Sequence, residues 1–159
     1  MDPTAFLQGR SRETTIVRDA QGRWFQDGIA LSHPNLARSF DRWIARAEDG
    51  RYCLKNEINW AYITLEGAPV FVRSLGFDEH GAPWLLLSND RREELDGNTL
   101  RQGVADQALY CTVSGNLTAR FDSSAATQLE GLLGEDEQGV YLAWSGQKFY
   151  PPMVSDPIR

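Results

Sequence analysis

Two histidines are the only imidazoles in the 159-residue chain, and each would need an oriented partner to act as a general base. His33 stands just before Pro34 at the start of a helical pattern, where capping is its expected role. His80 sits in the turn Asp78-Glu79-His80-Gly81, a solvated setting. Neither has a second His or a Cys at zinc-ligand spacing. Cys53 and Cys111 fall in apolar, strand-like runs, residues 51–55 and 108–113, which reads them as buried thiols rather than nucleophiles. No Gly-x-Ser-x-Gly elbow, Walker loop or dinucleotide glycine fingerprint occurs. The acidic runs Glu93-Glu94 and Glu135-Asp136-Glu137 lie in expected loops, where charge is usually just solvated. The chain therefore offers no catalytic residue, and neither a metal nor a cofactor is expected.

Chemistry suited to binding is better represented. Of the sixteen basic residues all but Lys55 and Lys148 are arginines, whose planar fork matches carboxylate or phosphate. Trp24, Trp60, Trp84 and Trp144 lie in strand-like runs; most are expected in the core, but one at a cleft edge beside an Arg could stack a flat ring. Residues 141–150, two aromatic strand segments around Ser145-Gly146, are the strongest local candidate. The net charge of −6 and a pI near 4.9 argue against a duplex DNA binder that relies on overall charge. A local basic pocket stays compatible with them.

The elements that must position these residues follow from the hydrophobic pattern. Apolar residues make up 42% of the chain, enough for a packed core. Residues 15–18 and 23–26 read as strands, and Asp27-Gly28 as a hairpin dipeptide. Pro34 opens a helix capped by Ser32 or His33. Its face is Leu36, Phe40, Trp43 and Ile44, and Glu48-Asp49-Gly50 ends it. Residues 51–55, 58–65, 69–75, 84–87, 108–113 and 117–121 read as strands, with residues 89–98 as a charged loop. A second helix begins near Ser123 with Ala125, Leu129, Leu132 and Leu133 on one face. No apolar stretch reaches membrane-spanning length. Residues 1–12 hold no apolar run of signal-peptide type, so a reducing, cytoplasmic setting is the expectation.

The second helical face follows the first by 89 residues at every position, and Gly50-Arg51-Tyr52 matches Gly139-Val140-Tyr141 at the same offset. This predicts an internal duplication. The fold class is then α+β: two similar β-rich halves, each a mainly antiparallel sheet with one amphipathic helix. Residues 13–76 form the N-terminal repeat and 77–152 the C-terminal one, with residues 1–12 and 153–159 as loose tails. Two such halves would leave a cleft between them.

Trp24-Phe25, Gly28, a helix with Phe40, and Gly50-Arg51-Tyr52-Cys53-Leu54 together resemble the bacterial domain-of-unknown-function family 1285. Further collinear matches are Leu65-Glu66-Gly67-Ala68-Pro69, Ser88-Asn89, Leu100-Arg101, residues 114–119, and Trp144-Ser145-Gly146 with Phe149. The resemblance spans roughly residues 15–151. It implies a bacterial protein with a duplicated core, its C-terminal half loosely pleckstrin-homology-like, and no established activity. It also implies a ligand site between the halves, for a nucleotide-like or nucleic-acid ligand, and a role in signal transduction. The chain departs from the family pattern at Asn56, in Asn56-Glu57-Ile58-Asn59, and at Gly67 and Ser114.

The expected function is a small regulatory binding module. Arg51, Arg101 or Arg120 would meet the anionic group of a small or nucleotide-like ligand. Trp24, Asn89, Trp144 and Ser145 would shape the pocket. A protein-interaction module is the alternative, with a protein partner in place of the ligand, and an unrecognised enzyme stands third.

Overall fold

The computed structural model describes residues 12–158. The expected N-terminal tail, residues 1–12, lies outside the described residues except for Arg12. The chain divides into two units, Met1–Pro69 and Val70–Arg159.

The first unit runs β1 (Val17–Arg18), β2 (Trp24–Gln26), β3 (Ile29–Ala30), α1 (Pro34–Trp43), β4 (Ile44–Arg46), β5 (Tyr52–Lys55), β6 (Trp60–Tyr62) and β7 (Thr64–Leu65). Strands β3-β2-β1-β7 form one sheet, in which β1 and β7 are parallel. Strands β4-β5-β6 form a second, an antiparallel meander. Asp27 and Gly28 both have positive φ, 53° and 77°, as a two-residue hairpin turn between right-twisted strands requires.

His33 caps α1: its Nδ1 accepts from the Leu36 N–H at 3.3 Å, and Pro34 fills the first turn, where no N–H is needed. Leu36 and Phe40 are buried with Ile16, Trp24, Ile44, Leu54, Ala61 and Ile63. Each of the buried leucine, isoleucine and phenylalanine side chains contributes about 1.5–3 kcal/mol. The helix ends at Trp43, not at residues 48–50. Ile44 turns extended, with ψ of 128°, and pairs with Leu54, so the fourth apolar residue of the helical pattern reaches the same core from a strand. That core also holds charge. Arg18, 1% exposed, donates to Asp41 Oδ1 at 3.1 Å and to the Ala68 carbonyl, and the Trp24 indole N–H donates to the same Asp41 oxygen at 2.9 Å.

The second unit runs β8 (Val70–Phe77), β9 (Pro83–Leu87), β10 (Arg92–Glu94), β11 (Arg101–Gly103), β12 (Leu109–Val113), β13 (Leu117–Phe121), α2 (Ser123–Gln128), β14 (Leu133–Asp136), β15 (Gly139–Trp144), β16 (Gln147–Phe149) and β17 (Met153–Val154). Its main sheet has the order β10-β9-β8-β13-β12-β11-β17, and β14-β15-β16 form a separate antiparallel meander. Three expectations are corrected here. The charged loop at residues 89–98 contains β10, which pairs antiparallel with β9. The second helix stops at Gln128, a 3-10 turn follows, and Leu133 opens β14. The C-terminal residues 153–158 are not loose: β17 runs parallel to β11, and the carbonyls of Pro157 and Ile158 accept from Arg101 Nε and Thr118 Oγ1 at 2.7 and 2.8 Å.

The α+β class is as expected. Each unit contains a helix followed by a three-stranded antiparallel meander, while the larger sheet has four strands in the first unit and seven in the second. Helix starts Pro34 and Ser123 are 89 residues apart, but the meander pairs Leu54↔Ala61 and Leu142↔Phe149 are 88 apart. The β4–β5 turn is one residue longer than the β14–β15 turn. The Gly-x-Tyr tags at the 89-residue offset are therefore out of structural register. Tyr52 packs against the first unit's core, whereas Tyr141 points to the opposite face of its sheet and meets Tyr150. A slip of one residue exchanges the two faces of a strand.

Candidate functional site

Strand alternation divides the first meander into two faces. Ile44, Leu54 and Ala61 point into the core. The other face carries Cys53 and Lys55 from β5, and Tyr62 and Trp60 opposite them on β6. Above it lies a hollow of about 480 Å³ lined by these four residues with Arg46, Ala47, Glu48 and Asp49 of the β4–β5 turn. Its volume is within the range of small-molecule sites.

The walls are cross-tied. The Trp60 and Tyr62 rings meet edge to face, with centroids 5.0 Å apart. The Tyr62 hydroxyl donates to Asp49 Oδ2 at 2.6 Å, while Asp49 Oδ1 accepts from the Arg51 N–H at 3.0 Å. The Arg51 guanidinium lies 3.7 Å from the Tyr62 ring centroid and forms a two-pronged pair with Glu13 at 2.7 and 2.9 Å. Arg12 lies 4.6 Å from the Trp60 ring centroid and donates to the Trp60 carbonyl at 2.6 Å. Arg46 donates to the Gly50 carbonyl and the Tyr52 hydroxyl, both at 3.3 Å.

The lining charges balance, Arg46 and Lys55 against Glu48 and Asp49. Hydrogen bonding from Tyr62 holds the Asp49 carboxyl below its ordinary value, and the same bond raises the Tyr62 phenol, which stays a donor at neutral pH. Both Asp49 oxygens are occupied by those bonds. Lys55 is exposed and makes no ion pair among the described residues. Burial pushes the Cys53 thiol up, so it lines the hollow as a neutral small group rather than a nucleophile. The arrangement can hold a flat ring against the Trp60–Tyr62 corner with a negative group toward Lys55 and Arg46.

The corresponding face of the second meander is filled. Tyr141 stands where the first has Cys53, and its ring lies 5.7 Å from Tyr150. Lys148 sits 4.5 Å from the Tyr141 ring and 3.1 Å from Asp136, and the Tyr150 hydroxyl donates to Asp136 at 2.6 Å. Gly134 opposite Tyr141 must lack a side chain, since a Cβ there would lie 2.4–2.6 Å from the tyrosine ring.

The residues singled out in the sequence fall elsewhere. Trp24 is 3% exposed and packs edge to face on Phe40 at 5.2 Å, a core residue. Arg51 stands beside the hollow, engaged with Glu13 and Tyr62, and is not part of its lining. Asn89 is a buried turn residue whose Oδ1 accepts from the Arg91 N–H at 3.1 Å. Arg101 spends its donors on Pro157, Thr99, Thr112 and Thr118. Arg120 lies 3.6 Å from Asp106. Arg101 and Arg120 flank Tyr110 in register across β11-β12-β13. Trp144 stacks on Phe149 at 4.3 Å, and Ser145, with φ of 52°, forms the β15–β16 turn with Gly146. Of the hollow's lining, Arg46, Lys55, Trp60 and Tyr62 were not singled out as site residues. The available clue was the two-residue spacing of Cys53 with Lys55 and of Trp60 with Tyr62, which sets a polar-aromatic face opposite Leu54 and Ala61.

No family model and no curated protein matches the chain. Two solved structures do match. One is a DUF1285 family protein from Silicibacter pomeroyi DSS-3, with a TM-score of 0.71 and 21% identity over 98% of this chain and 89% of that one. The other is a DUF1285 family protein from Shewanella baltica OS155, with a TM-score of 0.58 and 17% identity over 74% of this chain and 91% of that one. The fold of this chain is thus that of DUF1285 family proteins, the family its motifs resemble.

Proposed function

We propose that the chain is a regulatory binding module that takes a small anionic or nucleotide-like ligand in the hollow on β4-β5-β6. The observation that carries this reading is an open, aromatic-cornered cavity with a lysine that makes no ion pair among the described residues, on a frame whose counterpart in the second unit is closed by Tyr141. A ligand there competes for the ties of residues 47–51 to Tyr62 and Glu13, and so changes how the β4–β5 turn is presented. A signalling role would act through that turn. A cytoplasmic setting belongs to the same proposal, in keeping with the free, buried Cys53 and Cys111. No helix among the described residues is long and apolar enough to cross a membrane.

The test is a thermal-shift and calorimetric panel of nucleoside mono- and diphosphates with inorganic phosphate and small dicarboxylates. Binding to the native state alone raises the melting temperature. The gain should shrink in Trp60→Ala and in Lys55→Gln. A panel without stabilisation, or a gain untouched by both substitutions, overturns the proposal.

A further inference from the structure

The second meander, closed on the face that matches the ligand hollow, is open on its other side. Strand β14 is an edge of β14-β15-β16, so every second residue directs its N–H and C=O away from β15. Beside this edge is a groove of about 250 Å³ whose lining includes Leu109, Leu129, Leu133, Val140 and Leu142. Two of these are large and exposed: Leu133 at 49% and Val140 at 58%. A bare strand edge next to exposed aliphatic side chains is what a chain adding as a further strand requires.

Charge selects the occupant. Glu130, Glu135 and Glu137 surround the edge, are exposed, and make no ion pair among the described residues. Asp136 is different, being held by Lys148 and Tyr150. The register refines the choice. Leu133 pairs with the buried Leu142 and Glu135 with Val140, so Leu133 and Glu135 share the groove face, two residues apart. A strand laid on this edge places one side chain beside Leu133 and the next on that face beside Glu135.

The geometry points to β14 as a docking edge for an extended segment of a partner protein with an apolar-x-basic pattern. Added parallel to β14, the segment sets its apolar side chain in the groove beside Leu133 and its Lys or Arg two residues on beside Glu135. This inference is independent of the ligand hollow on β4-β5-β6.

Fluorescence anisotropy with two labelled peptides tests it. They are identical eight-residue extended sequences, one with a Leu-Thr-Lys core and the other with Leu-Thr-Glu. The lysine peptide should bind about tenfold or more tightly than the glutamate peptide, and more weakly as salt rises. Glu135→Lys should erase or invert the preference. Leu133→Glu, a change at an exposed position, should weaken the lysine peptide about tenfold with the fold intact by circular dichroism. Equal affinity for both peptides overturns the assignment, as does a preference unchanged by Glu135→Lys. A dimer in sedimentation equilibrium that Leu133→Glu dissolves would assign the edge to a second copy of this chain and also overturn it.

Discussion

The two helix–meander segments pair their strands alike and tie an aspartate in or beside the first turn to a tyrosine near or on the third strand, Asp49 to Tyr62 and Asp136 to Tyr150. They differ at what fills the face beside that tie. Small Cys53 and a turn one residue longer leave a hollow in the first, and Tyr141 packed against Gly134 and Tyr150 closes the second. One frame can thus serve as a pocket or as a closed surface. The choice rests on a single side-chain volume and one turn residue.

The largest expected effect tests what holds the first segment's core in place. Asp41→Ala removes the carboxylate that faces a buried Arg18 and the acceptor of the Trp24 indole, and should cost about 3–5 kcal/mol in urea unfolding. A cost near that of an ordinary surface change would remove the buried pair from the account. Next, Gly134→Val drives a side chain into Tyr141 and should destabilise by about 1–3 kcal/mol. If melting is unchanged, the second meander is not tightly filled. Third, Cys53→Tyr turns the first face into a likeness of the second. Ligand stabilisation should disappear, and the free protein should melt lower, because Cys53 is buried and Ala45 rather than a glycine stands opposite it. Trp60→Ala should weaken binding by about 1–3 kcal/mol, the usual worth of an aromatic stacking partner, read by calorimetry.

The smallest effect is one the two segments should share. Tyr62 and Tyr150 hold the carboxyls of Asp49 and Asp136 below the ordinary 3.8. A folded-state value lower than the unfolded one stabilises above that ordinary value, and the contribution is lost as pH falls through the depressed one. Melting temperature should therefore fall on acidification below about pH 4, and Asp49→Asn and Asp136→Asn should each flatten that fall similarly. Unequal flattening would mean the two ties are not alike.

Local chemistry made much of this fold legible in the sequence. The Asp27-Gly28 hairpin, the His33-Pro34 helix start and the buried cysteines all stand in residue type and spacing. The helix ends did not, because Ile44 and Leu133 are claimed by pairing with Leu54 and Leu142, contacts that helical periodicity cannot foresee. The hollow on β4-β5-β6 was not foreseen for a related reason. Arginines drew attention as binders, yet Arg101 and Arg120 are spent on local acceptors, while the hollow's lysine, Lys55, makes no ion pair among the described residues. The 89-residue tag concealed the shift to 88 that places Tyr141, unlike Tyr52, on the face away from the core.

Strand β17 has a protective consequence. Its backbone covers β11, with Gln102 and Val104 donating to Pro152 and Val154, and its last carbonyls answer Arg101 and the buried Thr118 hydroxyl. A chain clipped after Tyr150 would bare that rim of the seven-stranded sheet and take the Pro157 carbonyl from Arg101. Such a fragment should cluster with itself in light scattering where the longer chain stays dispersed. The final few residues thus work as a hem, keeping the large sheet from fraying into its neighbours.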